Sequence, residues 1–453
     1  MLRIRTEIFV NSAWVDISLH VLNRAALNIA WGRRDYSSRV THTKVSPHIN
    51  NKNGLYSTRN PYSPYFGRLT QNTLVRQSVQ LPDGSWEVLH HSEIPSWPKR
   101  RDLSGNDSWL PVQCAGILRR LGQGTKPLKD SLRRHIEASG PLLYWPLTDG
   151  QEAIHGTEVV QGSQPMRAIG ETGAFYQGQP DWGKGTLAAW LEPVVELPDE
   201  TIGRLTAAVP ARTLSGWSVD HVFAGGGTGF SNTFDIWDNG PRTDADNQIK
   251  WTIWLDGSDD EINLIVAAYG ETTSGSTFAA SVADLGITDQ AVHHVRLSTA
   301  DDGAGGTAWW LYLDGAEIAT GTRVTPFRPV QRLNYQWGMV DPGNGVPTQA
   351  MALGHLTYWG ADAPAAIDTW RAVQGHVRER AGRRIERLCA ERGVPLQVIG
   401  DLDQTPQMGP QKPGKFLDLL QSGADVDGGT VHEARDTFGL AYRTCRSRYN
   451  QGL

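Results

Sequence analysis

The sequence predicts a mainly β protein in three parts: an N-terminal β-rich domain, a large antiparallel sandwich, and a C-terminal α/β segment. Three observations carry that reading. Turn formers and large rings abound, with 49 Gly, 25 Pro and 17 Trp among 453 residues. Apolar residues alternate at period two through many short runs. Between residues 141 and 361 those runs recur at turn-separated intervals, the pattern of two packed antiparallel sheets. A hydrophobic content of 39% is enough for cores, and the formal charge of -5 gives no global basic field, so nucleic acid is not an expected partner.

Residues 4–21 read as a hairpin. Ile4, Thr6 and Ile8 alternate on one strand, Asn11-Ser12 supplies a turn, and Trp14-Val15-Asp16-Ile17 returns. Leu27 to Trp31 continue the β pattern into Gly32-Arg33-Arg34-Asp35 and Ser37-Ser38-Arg39-Val40. Residues 53–76, NGLYSTRNPYSPYFGRLTQNTLVR, crowd Gly54, Pro61, Pro64 and Gly67 among Tyr56, Tyr62, Tyr65 and Phe66. Those backbone restrictions exclude a helix, and the rings argue for an ordered loop packed on the β-domain. Next come a strand through Ser78-Val79-Gln80-Leu81, a turn at Pro82-Asp83-Gly84-Ser85 and a return from Trp86. Trp109 to Val112 and Cys114 to Leu121 read as a last strand pair, closing a first domain at 1–124.

Residues 125–140 read as a helical connector, with Leu128, Leu132 and Ile136 four apart and Gly140-Pro141 as the stop. Arg119, Arg120, Arg133 and Arg134 form no nucleic-acid signature, because stacking residues do not interleave them; a solvated face or subunit contact is expected. In the sandwich, 141–361, the central hairpin runs from Val292 to Leu297 and from Ala308 to Leu313, with Asp314-Gly315 at its turn. Trp309, Leu311 and Leu313 share one face and Trp310 and Tyr312 the other, so both faces carry bulk, as for a strand between a core and a neighbouring domain. In the third part, 365–453, residues 370–392 read as one long helix with Val373, Val377, Ala381 and Ile385 on its stripe. A second helix through Phe416, Leu419 and Leu420, the Gly428-Gly429 pair and a hairpin follow. The sequence stops at Leu453 directly after that hairpin, which leads us to expect further domains beyond it.

Sites are sparse. Cys114, Cys389 and Cys445 lack the spacing of a disulfide framework or a metal knuckle. Residues 256–261, DGSDDE, carry the charges a hydrolase or a calcium site would need, but Gly257 and Ser258 make them a solvated turn. His293 and His294 are adjacent on a strand and so point to opposite faces, unable to share a metal ion. Gly225 to Phe230 lacks the Lys-Ser or Lys-Thr of a phosphate cradle. We therefore expect no catalytic residue, no metal site and no cofactor. No run approaches the ~20 apolar residues of a membrane span, so membrane insertion is not expected. Glycan contact is the remaining chemistry, since a flat ring packs on the apolar face of a sugar. Trp237, Asp238, Asn239, Tyr335 and Trp337 place aromatics beside hydrogen-bonding groups near turns and are the candidate contacts.

Residues 53–76 resemble the N-terminal signature of minor tail proteins from phages of actinobacteria, departing from it at Asn53, Leu55, Thr58, Phe66 and Leu74 with turn and aromatic character kept. Ala115 to Gly122, Ala-Gly-Ile-Leu-Arg-Arg-Leu-Gly, resembles the end of the same family's first domain, and the helix, double-glycine and hairpin order near the C-terminus resembles its later segment. Leu143 to Asp149, the central hairpin and Ala352 to Trp359 resemble strands of laminin-G and concanavalin-like jelly rolls. The resemblance implies a non-enzymatic virion component of the tail tip or baseplate, made in the host cytoplasm, with other phage tail proteins and a homotrimer as partners. Its inserted sandwich would meet a host-surface glycan or a neighbouring tail protein; a tail-borne glycan hydrolase is the alternative.

Overall fold

Residues 3–22, 27–32, 39–104, 107–124, 126–162, 164–170, 178–241, 248–268, 278–338 and 349–449 are described by a computed structural model; the basic segment at 33–38 and Thr125 lie outside them. The fold is mainly β, with mostly antiparallel sheets. Contacts divide the chain into two units, one of 1–128, 378–408 and 414–453, the other of 129–377 and 409–413.

In the first unit Asn11 and Ser12 join Ile4–Val10 to Ala13–Asp16 with φ of 53° and 62°, the paired left-handed geometry of a tight hairpin turn. These strands edge a seven-stranded sheet that continues through Thr73–Gln80, Trp86–Ile94, Cys114–Ala115, Thr41–Val45 and Ile29–Gly32. Residues 51–72 are a succession of turns anchored by Tyr56, which is fully buried. The Asn51 side chain accepts from the Tyr56 N–H at 2.9 Å and donates to Ser57 Oγ at 3.0 Å, while the Tyr56 ring stacks 5.6 Å from Tyr65. Tyr56 and Tyr65 thus pack into the core beneath the loop, while Tyr62 and Phe66 are exposed.

Residues 114–121 were expected to extend as strand. Instead only Cys114–Ala115 pairs, and Ile117–Leu121 is a short helix. The cause is distant in sequence: Glu433 accepts from the Leu118 N–H and the Thr43 N–H, both at 2.7 Å, so its carboxylate caps that helix. A Cβ on Gly116 would lie 2.0 Å from Glu433 Oε2, which is why glycine stands there. Arg119 reaches Glu93 at 2.6 Å and Arg120 bonds its other oxygen, so both cations neutralise one fully buried carboxylate. Arg119 is thereby partly buried, while Arg120 keeps an exposed side chain, as on the expected solvated face. Ile117 shares a core with Ile385 and Leu388 of helix Ala381–Glu391 and with Leu420 of helix Phe416–Asp427. Gly428 ends the latter at φ 70°.

The second unit holds two eight-stranded antiparallel sheets among the described residues. One runs Asp181–Gly185, Val194–Leu197, Met351–Trp359, Gly216–Gly225, Val292–Asp301, Thr307–Leu313, Ala316–Arg323, with Leu143–Trp145 beside Met351–Trp359. The other runs His155–Gly156, Met166–Gly170, Gly203–Ala208, Val330–Trp337, Ser231–Asp238, Ile249–Asp256, Glu261–Ala268, Phe278–Val282. Their inner faces share one core that includes Trp145, Phe223, Phe234, Leu297, Leu311 and Tyr358. Each such side chain contributes about 1.5–3 kcal/mol by leaving water. The helices Ser131–Ala138 and Ala366–Val373 cover part of the first sheet's outer face through Leu132, Ile136, Val222, Trp359, Ala372 and Val373. Beneath them Arg296 forks onto buried Asp220 with two bonds of 2.6 Å, and Trp359 Nε1 donates to the same carboxylate at 3.1 Å.

Two helical expectations need correction. The helix of 125–140 spans only Ser131–Ala138, capped by Asp130, and Leu128 instead bridges to Gly414. The long helix of 370–392 is two, Ala366–Val373 and Ala381–Glu391, because Gly375, His376 and Arg378 between them take φ of 63°, 51° and 64°. A Cβ at Gly375 would approach Trp190 Cδ1 at 2.9 Å, so packing fixes the break. The stripe of Val373, Val377, Ala381 and Ile385 has helical spacing but is not one helix face.

Candidate functional site

The outer face of the second sandwich sheet gathers the most chemistry. Five strands present it in register, Gly203–Ala208, Val330–Trp337, Ser231–Asp238, Ile249–Asp256 and Glu261–Ala268. Period two sends Leu333, Tyr335 and Trp337 into the core and leaves Arg332, Asn334 and Gln336 outside; on the next strand Phe234 and Ile236 go in, Asp235 and Trp237 out. Cross-strand rows follow. One is Thr206, Asn334, Asp235, Thr252; another is Arg332, Trp237, Lys250; a third is Gln336, Thr233, Trp254.

The rows hold one another in place. Thr206 Oγ1 donates to Asn334 Oδ1 and Thr252 Oγ1 to Asp235 Oδ1, both at 2.6 Å, and Lys250 Nζ lies 3.6 Å from Asp235. The Arg332 guanidinium stands 4.9 Å and Lys250 Nζ 5.6 Å from the Trp237 ring centre, so cations brace that ring. Trp254 is oriented by its Nε1–H, donated to Ser231 Oγ at 2.9 Å. Both tryptophans are half-buried, as are Asp235, Asn334, Gln336 and Arg332. Flat apolar surface thus lies beside fixed donors and acceptors.

Of the five residues picked from sequence, Trp237 is on this face. Tyr335 and Trp337 are corrections: they are 0% and 2% exposed, members of the inter-sheet core, and Trp337 Nε1 donates to Thr201 Oγ1. No ligand can stack on them there. Asp238 is also buried, its Oδ1 accepting from Gly240 N–H at 2.9 Å and Ile249 N–H at 3.0 Å, and burial raises its pKa against those bonds. Asn239 is exposed beyond the strand end. Sequence reasoning missed Trp254, Asn334, Gln336, Arg332 and Asp235. The signal was present in the alternation of residues 331–337, where every second residue is polar.

Among the described residues Asp235 is the acid at the centre of the face. Glu261 lies two strands across and four residues along from it, about 16 Å away at ordinary strand spacings, beyond the ~5–9.5 Å between the two carboxyls of a glycosidase. Oxygens of Asp256, Asp259 and Glu261 come within 4.8 Å of one another, but Asp256 Oδ1 accepts from the Ser258 N–H and Oγ–H, and Glu261 from Asn263 and Ser281. The hydrogen-bonded turn accounts for that cluster. Asp260, at φ 51°, turns away to accept from Gly286 and Thr288. His293 bonds Asp314 at 2.9 Å and Asp289 at 3.0 Å, while His294 Nε2 lies 3.4 Å from Asp220 across the sheet, so the pair does divide between faces.

No family model matches the sequence, and no curated protein matches it. Solved structures with partial likeness include the receptor-binding domain of botulinum neurotoxin D, at 7% identity and TM-score 0.34 over 53% of this chain and 54% of that one. A botulinum neurotoxin type C structure, described as dependent for cell entry on interaction with two ganglioside molecules, is similar at 8% identity and TM-score 0.37, over 55% of this chain and 54% of that one. The botulinum neurotoxin DC binding domain in complex with rat synaptotagmin II is similar at 10% identity and TM-score 0.35, over 54% of each. The chain spans about half the length of these structures. At such scores the β-sandwich assignment rests on the strand order and core of the chain itself.

Proposed function

We propose that the second unit is a lectin-like saccharide-binding module acting through the outer face of its second sheet. The observation that carries the reading is the juxtaposition of half-buried Trp237 and Trp254 with the ordered polar row of Thr206, Asn334, Asp235 and Thr252. A sugar is amphipathic in the same way, with an apolar ring face and hydroxyls at its edge. The distance of Asp235 from a second carboxylate among the described residues favours binding over hydrolysis. The setting we propose for the chain is the tail tip or baseplate of a phage of actinobacteria, as a homotrimer among other tail proteins, with the module turned to the host envelope. What supports that setting is the signature in residues 53–76 and 115–122.

The test is sedimentation of the full chain with purified actinobacterial cell walls, with released sugars assayed in the same tubes. Retention without release, weakened in a W237A/W254A variant, is the expected result. Release of sugar would favour a hydrolase, and no retention by any wall preparation would overturn the saccharide reading. Immunogold labelling of phage particles and the solution mass of the chain test the tail-tip setting and the trimer.

A further inference from the structure

The first sandwich sheet carries a separate cleft on its own outer face, of about 240 Å³, between strand Thr307–Leu313 and residues 361–366. Trp310 and Tyr312 form one wall. They alternate on the strand, so both rings leave the sheet on the side opposite the core-facing Trp309, Leu311 and Leu313, and both are half-buried. The sequence pattern predicts a covered second face here, but the rings border an opening. Ser298 is the cross-strand partner of Trp310, and Ser218 the partner of Ser298, so two small residues lie in one row beside the indole. Their smallness leaves the flank of the ring open and forms the floor.

We propose that this cleft is a binding site for a single neutral pyranose, stacked on Trp310 with its hydroxyls on the Ser218–Ser298 pair. The two Oγ atoms are 2.8 Å apart. One hydroxyl hydrogen is used in that bond, and the other remains to donate into the cleft, with lone pairs to accept. Arg296 also borders the opening, yet its guanidinium is occupied: it forks onto Asp220, donates to Thr369 Oγ1 at 3.1 Å and bonds the Pro364 carbonyl. The cation is neutralised by a buried carboxylate. The cleft therefore selects an uncharged ligand, with a flat apolar face and hydroxyls, over an acidic one. This site is on the other sheet from the face described above and does not depend on that reading.

The test uses the full chain labelled with 5-fluorotryptophan, the Trp310 resonance being identified by its loss in W310F. Methyl β-D-glucopyranoside and methyl β-D-galactopyranoside are titrated to about 50 mM, an order above a millimolar dissociation constant. A saturable shift of the Trp310 signal with at least one of them is expected, and it persists in W237A/W254A. S298L, which fills the floor and closes the flank of the ring, is expected to weaken the shift at least 10-fold while leaving the other tryptophan signals in place. No shift with either glycoside overturns the proposal, as does a shift unchanged in S298L. A response to a proline-rich peptide alone would also overturn it, assigning the cleft to a peptide.

Discussion

His221 makes the stability of the sandwich unit depend on pH in a way that one substitution isolates. The side chain is fully buried in the inter-sheet core, with ring centres of Phe234, Tyr335 and Phe223 at 5.2, 5.5 and 6.1 Å. Neither of its ring nitrogens has a hydrogen-bond partner among the described residues. Burial, helped by the charge of His294 and opposed by Asp220, lowers its pKa to about 3. In the unfolded chain it titrates near ~6.5. At pH 5 the folded ring is still neutral while the unfolded one is protonated, so unfolding takes up about one proton. The folded pKa is depressed, and for a base this means that stability falls as pH drops below the unfolded value. Integrating from pH 7 to pH 5 gives a loss of about 2 kcal/mol from this one group. His355 is likewise lowered to about 3 by burial and titrates in parallel, so the comparison of wild type with H221F cancels it. Urea unfolding of the two proteins at pH 5, 6 and 7 is the assay. The wild type should lose about 2 kcal/mol more than H221F over that range; H221L serves if phenylalanine overpacks the site. Parallel pH dependence in all three would refute the buried, neutral imidazole.

The other predictions concern pairs and the proposed face. Burial alone would raise the Asp220 pKa, but Arg296 and His294 hold it below the ordinary value. R296M strands that buried carboxylate and should cost about 3–5 kcal/mol in chemical denaturation, most of it recovered in D220L/R296M. In the first unit, E433A leaves the Leu118 and Thr43 N–H groups without their acceptor and should cost about 2–3 kcal/mol, with faster amide exchange at both positions. His293 behaves oppositely to His221: burial lowers its pKa, but Asp314 and Asp289 together outweigh it and raise it. Its contribution is fully present below about pH 6.5 and is lost as pH rises through the folded value. D314N should flatten the melting temperature measured across pH 6–9. W237A and W254A should each lower cell-wall retention about 3- to 10-fold, the scale of one aromatic stacking contact, with melting temperature as the folding control.

Local chemistry alone determined several elements of this protein. Asn11-Ser12 and Asp314-Gly315 fix hairpin turns because left-handed backbone is inexpensive only for a few residue types, and φ of 53°, 62°, 52° and 79° at these positions bears that out. Alternation along 307–313 and 331–337 determined which residues share a face. It did not by itself assign a face to the core at Tyr335 and Trp337, because a tryptophan beside polar neighbours has the same spacing whether it points inward or outward. The burial of the neighbouring sheet decided that. Helical spacing through 373–385 likewise could not reveal the break at Gly375, which depends on Trp190, distant in sequence. The Glu433 cap on Leu118 spans 315 residues, and the Asp220–Arg296 pair spans 76. The cross-strand rows of the candidate face depend on strand register. Periodicity reports the preferences of neighbours along the chain, whereas these features depend on which distant strands and helices meet, and only the tertiary structure decided that.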